Sequence, residues 1–520
     1  MSKQTKYIIW FAAVVFGAAV LLPLVSLVFS SLFVEGEFTL ANFSGVFQRS
    51  ILLSILNSVI ISTLVSLISV VVGCCFAFLF TKTDLPFKKT LFFLLLLPLL
   101  LPPYIVTVAW TDVWLFLGIS KKLVYGLPAV VFILSTIYVP LATFIISGSL
   151  KNISASIEEA GLMMTDYKIL FLEIILPLIR PALFSSFILI FILTISEFAV
   201  PAYLSVNVFT TEIFTQFTAF YNYSSAISYA LILTAICLLL ILPENYYLSQ
   251  APFVSFGKKS FRQLTISLKN KSIWLIIGFA YIIFVVFLPI TMLVAQWLSS
   301  DNISFFGIVE LLLPALKDSL LLSFLGAMLV TFLGFSFALM SVKYKIKAID
   351  SILLFVFAIP AIVTGIALVK FYNTPMLNFV YGTSLIIIVA FVARFLFVSQ
   401  KIISGGLLQI PDSFREAAIL MGASPFYTFR KITFPLLADA LFTSFFVILI
   451  FCVAELTTVI MVYPPGTSLL PVRIFTLMAN APQATISGMC LVALLFTLSL
   501  VAIMMGGRKI LIDQQWKRSQ

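Results

Sequence analysis

The sequence predicts an all-α polytopic membrane protein of about twelve transmembrane helices, arranged as two parallel six-helix repeats. Three observations carry that expectation. Of the 520 residues, 62% are hydrophobic and 10% charged, against roughly half and about a quarter in soluble chains, and the mean hydropathy is +1.19. Apolar stretches of spanning length, roughly 20 residues, recur along the whole chain. The two halves also echo each other at a nearly constant offset. Such a composition excludes a soluble enzyme, a disordered regulator and a nucleic-acid-binding domain. The formal charge of +11 reads as loop charge on one side of a membrane.

Candidate spans lie at 8–33, 52–80, 90–116, 125–149, 180–203, 226–243, 273–298, 312–340, 350–371, 383–404, 437–462 and 485–507. The first follows Lys3 and Lys6 and is longer than the apolar core of a signal peptide, about 7–15 residues, so it is expected to be retained. Pro98, Pro102 and Pro103 blur the third. Cys74, Cys75, Cys237, Cys452 and Cys490 all fall in apolar stretches of a chain without histidine. They read as small buried side chains, not as disulfides or metal ligands.

Lysine and arginine are distributed unequally between alternate loops. Lys82, Lys88, Lys89, Lys151, Lys343, Lys345, Lys347, Arg430 and Lys431 fall on the side of the termini; Arg49, Lys121, Lys122, Lys317, Lys370 and Arg473 fall on the other. By the positive-inside rule both termini are expected in the cytoplasm.

Residues 57–77 echo 318–338, with Gly73 matching Gly334, and the PYIVT of 103–107 echoes the PAIVT of 360–364. Six spans per half is an even number, so equivalent loops share a side. The expected organisation is a first half at 1–243, a basic linker at 244–271, and a second half at 272–520 ending in a short tail.

The most informative pair of segments precedes the fifth span of each half. The second reads Arg415-Glu416-Ala417-Ala418, then Gly422, nine residues, and Ile432 to Pro435; the first reads Glu158-Glu159-Ala160, then Met164, nine residues, and Ile174 to Pro177. Each is expected to be a short helix, a turn and a proline-marked entry into a membrane helix. Ala418, Leu420 and Met421 set against Arg415 and Glu416 suggest a docking face for another protein.

This spacing resembles the EAA signature loop of permease subunits of bacterial binding-protein-dependent ABC importers. Residues 415–435 match it closely, with Phe434 in place of Leu; residues 157–177 match less well, with Glu159 for Ala and Met164 for Gly. The fused two-half chain is similar to the ferric-iron (iron(III)/thiamine/phosphonate) permeases, to which the segments 196–201, 210–214, 455–458 and 463–466 with 472–475 also bear a weaker likeness. The resemblance implies a type I importer permease with the MetI-like fold, in the bacterial inner membrane. It implies coupling loops formed by Glu416, Ala417, Ala418, Gly422 and Pro435, and by Glu158, Ala160, Met164 and Pro177. The partners it implies are two copies of an ABC ATPase, a periplasmic or lipid-anchored solute-binding protein and membrane lipids. Ferric iron is the first substrate expectation, with thiamine, phosphonate or polyamine as alternatives.

No cofactor, nucleic-acid partner or catalytic site is expected. The string nearest to a P-loop, Phe256-Gly-Lys-Lys-Ser260, lacks the first glycine whose backbone would wrap a phosphate. ATP hydrolysis therefore falls to a separate subunit. Glu197 and Glu455 hold equivalent places near span ends. A charge at mid-bilayer costs about 2.5–3.5 kcal/mol on insertion scales, so this pair either lines a cation path or is hydrogen-bonded to backbone near the outer interface. Asp112 and Arg394 are further candidates. Without histidine, a ferric site here could draw only on oxygen donors, and weak contacts suit a conduit. A secondary transporter driven by an ion gradient is the competing class; it would also show repeats, but it has no need of paired docking loops.

Overall fold

A chain this apolar must satisfy its backbone hydrogen bonds internally, and helices do so within one segment. The computed structural model describes residues 3–34, 37–248, 264–299, 304–346 and 348–519, and helix dominates throughout. Among these residues strand is confined to a short hairpin pairing Phe33–Val34 with Glu37–Phe38. Most of the linker, including Phe256–Ser260, lies outside the described residues.

The elements in chain order are α1 (Trp10–Leu32), α2 (Arg49–Lys82), α3 (Lys88–Leu100), α4 (Pro103–Phe116), α5 (Leu127–Lys151), α6 (Ala155–Leu162), α7 (Tyr167–Ile195) and α8 (Tyr223–Ile241). They continue with α9 (Lys271–Leu298), α10 (Phe305–Lys343), α11 (Ala348–Ala358), α12 (Ala361–Tyr372), α13 (Leu385–Gln409), α14 (Asp412–Leu420), α15 (Phe429–Ala454) and α16 (Gln483–Ile510). Ten of these are long and apolar enough to cross a membrane, and the number is twelve if each of the bent pairs α3/α4 and α11/α12 counts as one span.

The bends revise two expected spans. The stretches 90–116 and 350–371 each turn sharply, by 100° between α3 and α4 and by 94° between α11 and α12. Proline is the cause in both. Pro102 stands at φ −56°, ψ 131° and Pro360 at φ −55°, ψ 145°, extended values that close one helix and open the next. Each lacks the N–H that would continue the helical ladder. Broken apolar helices at corresponding places in two repeats are where transporters commonly build their binding site.

Other prolines are absorbed without a break. Among the described residues, wide π turns at Gly17–Leu21, Leu170–Ile175, Ile283–Phe287 and Phe429–Thr433 each end two residues before a proline, namely Pro23, Pro177, Pro289 and Pro435. Proline offers no N–H and crowds the carbonyl four residues back, and the wider turn relieves both. Pro177 and Pro435 therefore follow a wide turn within helices that begin at Tyr167 and Phe429, and each stands in the first turn of the α-helical stretch after it, Leu176–Ile195 and Phe434–Ala454.

The chain divides into two compact units that cut across the sequence halves. One comprises Met1–Thr39, Glu310–Arg473 and Ala493–Gln520; the other comprises Leu40–Val309 and Ile474–Val492. In the second, α2 runs along α5, and a Cβ on Gly73 would come within 2.6 Å of the Ala142 Cβ. Ile282 and Val286 of α9 complete a core there with Phe76, Leu79, Phe80, Leu91 and Leu95. In the first unit α10 approaches α13 just as closely, at Gly334 against Ser399. The α1 helix belongs to this unit: the Phe16 and Phe337 rings meet edge to face at 5.4 Å, and the Tyr372 hydroxyl donates to the Ala19 carbonyl at 3.3 Å. Each sequence half thus packs its opening span into the unit built mainly from the other half.

The repeat extends to single hydrogen bonds. The Phe209 N–H donates to Ser58 Oγ at 2.8 Å, and in the other unit the Leu470 N–H donates to Ser319 Oγ at 2.7 Å. One residue earlier on each long helix, Asn57 donates to the Asn207 carbonyl at 3.0 Å, whereas Asp318 accepts from the Ser468 N–H at 3.0 Å. The same tether uses opposite polarity because the side chain differs.

Candidate functional site

The second signature loop begins at Pro411, whose extended backbone (φ −60°, ψ 136°) starts α14. Ala418 is buried, while Glu416 and Ala417 are exposed. Leu420 and Met421 are each 88% exposed. The expected shared face of Ala418, Leu420 and Met421 is therefore split: Leu420 is two residues from Ala418 and points nearly the opposite way, and Met421 lies past the end of the helix as its C-cap. Ala418 is the covered member; Leu420 and Met421 are turned outward, together with the less exposed Ile419 and Phe414.

Gly422 closes this helix. It stands at φ +77°, the left-handed region where a side chain is strained. The Ala423 N–H returns to the Ala418 carbonyl at 2.9 Å and the Gly422 N–H to the Ile419 carbonyl at 2.9 Å, the two-bond pattern of a Schellman stop.

The first loop reaches the same place by another route. In α6, Ala155, Glu158 and Gly161 form the buried stripe, at the three-residue spacing of one helix face. Met163 and Met164 are 91% and 86% exposed. The Met164 and Thr165 N–H groups both donate to the Gly161 carbonyl, at 3.0 and 2.9 Å, and Met164 is not among the residues with positive φ. A tight right-handed turn replaces the glycine stop, so the missing glycine leaves no strain. Ala160 is exposed.

Glu158 is the unexpected member. Its carboxylate lies 2.6 Å from the Lys82 ammonium at the end of α2, and the two side chains are only 2% and 1% exposed. Glu416, its counterpart, is exposed. The two loops thus present different chemistry: an outward carboxylate in one and an internally paired carboxylate in the other.

Glu197 and Glu455 are half-buried, and each carboxylate caps the chain that follows it. Glu197 Oε1 accepts from the Ala199 N–H at 2.9 Å and the Val200 N–H at 3.4 Å; Glu455 Oε1 accepts from the Thr458 N–H at 2.8 Å. This backbone capture ends the spans expected at 180–203 and 437–462 early, at Ile195 and Ala454, and starts the short helices Ala199–Tyr203 and Val459–Val462. Asp112 is buried on α4, accepting from Gln483 Nε2 at 2.7 Å and Ser487 Oγ at 2.8 Å. Arg394 donates through Nη1 to the Ile359 carbonyl at 3.1 Å, satisfying an acceptor freed by the α11/α12 break.

Residues 330–514 match the family described as binding-protein-dependent transport system inner membrane component. The putative 2-aminoethylphosphonate transport system permease protein PhnV of Salmonella paratyphi A is 30% identical over 192 residues, covering 36% of this chain and 71% of that protein. The chain belongs to this family. The Fe(3+)-transport system permease protein FbpB 2 of Haemophilus influenzae is 25% identical over 448 residues, 85% of this permease and 87% of that protein. The ferric transport system permease protein FbpB of Actinobacillus pleuropneumoniae is 27% identical over 460 residues, 80% of this permease and 66% of that protein.

The family match spans α14 and the whole of α15, so the segment around Gly422 falls within it. Sequence reasoning overlooked Lys82 and Met163. Met163 had a signal in the Leu-Met pair that recurs at 162–163 and 420–421. Lys82 had none, because its partner lies 76 residues away and positive-inside charge already accounted for it.

Proposed function

We propose that this permease is the membrane subunit of a ferric-iron importer. Two copies of a separate ATPase dock on its two signature loops, and a soluble binding protein delivers substrate to the opposite side. The observation that carries this reading is the duplicated loop. Met163 and Met421 occupy matching positions, are 91% and 88% exposed, and cap the C-terminal ends of the short helices that precede the spans. Exposed apolar groups of this kind suit a helix-in-groove contact with a protein partner. Iron is favoured over a phosphonate because the relatives named for ferric transport align over 80–85% of the chain, whereas PhnV aligns over 36%. Selectivity then rests with the binding protein, and the permease contributes weak, transient contacts.

In this scheme ATP-driven closure of the ATPase pair displaces both loops, and the permease alternates between inward-open and outward-open states. Both termini lie in the cytoplasm, on the loop side. Glu455 and Glu197 act first as caps, and their half-exposed carboxylates offer oxygen contacts to a passing cation. Alignment of Glu158 with the outward Glu416 notwithstanding, its contribution runs through the helix it anchors.

The test is uptake of radiolabelled ferric iron by proteoliposomes holding the permease, its ATPase and its binding protein. Uptake should require ATP and the binding protein, stop with vanadate and ignore an excess of aminoethylphosphonate. Competition by the phosphonate would reassign the substrate. Uptake without any ATPase, abolished by an ionophore, would replace the importer with an ion-coupled transporter.

A further inference from the structure

Three consecutive residues at the end of α2 hold three different pieces of the same unit. Lys82 pairs with Glu158 on α6 at 2.6 Å, out of contact with water. Thr83 forms a parallel bridge with Ile266; the Ile266 N–H donates to the Lys82 carbonyl at 2.8 Å, and the Asp84 N–H donates to the Ile266 carbonyl at 3.2 Å. Asp84 accepts the Leu268 N–H at 3.0 Å on one oxygen and meets the Lys271 ammonium at 2.6 Å on the other. Lys271 is the first residue of α9. The signature helix, the end of a long span, the last stretch of the linker and the start of another span therefore converge on residues 82–84.

The components differ in strength. The Asp84–Lys271 pair is partly exposed, with side chains 30% and 47% accessible, and surface pairs of that kind hold little. The Lys82–Glu158 pair is buried, where removing one partner leaves an uncompensated charge. The hydroxyls beside it, Thr81 and Thr83, are committed to the α2 carbonyls of Ala77 and Leu79. Because neither charge can exchange its partner for water, the pair ties the docking helix to the end of the span more firmly than an exposed pair does.

We propose that Lys82 is a positioning residue for energy coupling: its buried ion pair with Glu158 makes the first signature helix move as one body with the end of α2, and through Thr83 and Asp84 with the start of α9. This rests on the reading of α6 as an ATPase-docking helix. Its consequence is a functional inequality between the loops. The first transmits motion through an internal ion pair, and the second meets its partner with an exposed carboxylate.

The test compares Lys82→Met, Lys82→Arg and the charge exchange Lys82→Glu/Glu158→Lys in the complete complex in proteoliposomes, measuring basal ATP hydrolysis, hydrolysis stimulated by loaded binding protein, and uptake. Lys82→Met should leave ATPase association and basal hydrolysis intact while stimulated hydrolysis and uptake fall by roughly tenfold or more, a size within the usual range of coupling between sites. Lys82→Arg should retain most coupling, and the charge exchange should restore what Lys82→Met loses. Normal stimulation in folded Lys82→Met overturns the proposal, as does a parallel fall of basal and stimulated rates in proportion to assembled complex, which would mark a structural anchor only. Should Lys82→Met not assemble, the exchange decides: assembly with stimulation supports the proposal, and assembly without it, or no assembly, overturns it. Failure of the unaltered permease to bind an ATPase would instead refute the docking reading, and would be seen before any variant is made.

Discussion

Gly422 and Met164 occupy matching places in the two signature loops, yet the backbone asks different things of them. Gly422 stands at φ +77° and donates to the Ile419 carbonyl. Gly422→Ala should destabilise that turn by about 1–2 kcal/mol, the usual left-handed penalty for an L-residue. Gly422→Pro removes the donor as well and should abolish ATP-driven uptake. Met164→Ala should keep its turn and transport nearly normally, since that turn uses ordinary backbone angles. Uptake and thermal unfolding of the three variants side by side check the contrast; equal sensitivity at both positions would contradict it. Asp84 gives a pH expectation of defined sign. Its hydrogen bond to Lys271, aided by the Leu268 N–H, holds its carboxyl below the ordinary value. A lowered value means the attachment is fully present above the ordinary carboxylate value, about 3.9, and is lost as pH falls through the lowered one. Exchange protection of the Leu268 amide should therefore stay flat from about pH 8 to about pH 5 and fall only in stronger acid.

At the scale of elements, close helix approach replaces the loop as the feature most exposed to mutation. A Cβ at Gly73 would meet the Ala142 Cβ at 2.6 Å and the Thr143 backbone nitrogen at 2.9 Å. A backbone atom cannot rotate away, so α2 must shift. Gly73→Ala should cost about 1–3 kcal/mol, the range for overpacking a tight contact, seen as a lower unfolding temperature of the purified permease. No change would mean that α2 and α5 are more loosely packed than described. These same elements show how far the sequence could be read. The spans were legible because hydropathy alone specifies them, and the Gly73–Gly334 match was legible as part of the repeat, though not as the pair of close helix contacts it marks. The 94° break at Ile359–Pro360 was not, because one proline in an apolar run also fits a kinked span. Nor was the early stop at Ile195 and Ala454, which depends on Glu197 and Glu455 turning back onto backbone N–H groups. The wide turns that precede Pro177 and Pro435 left no mark in the sequence either, because a proline in an apolar run does not say how the helix before it is wound.

At the scale of the molecule, the constant offset between the halves was visible in the sequence, whereas the exchange of opening spans between compact units was not. Nothing in the composition of α1 distinguishes a partner at Phe337 from one in its own half; that choice is made by packing between residues hundreds of positions apart. The signature loops were legible as motifs, and the poorer match of the first was too, but its buried ion pair was not, since Lys82–Glu158 joins a routine loop lysine to a residue the motif already claimed. The account depends on both loops meeting an ATPase. The most direct measurement replaces the native cysteines, introduces Met163→Cys or Met421→Cys singly, and cross-links each to the ATPase in membranes with a short thiol-reactive reagent. The account predicts that each position captures the same ATPase polypeptide, from the cytoplasmic side. Free labelling of both cysteines by a soluble maleimide with no ATPase captured at either, or labelling from outside the cell, would contradict it.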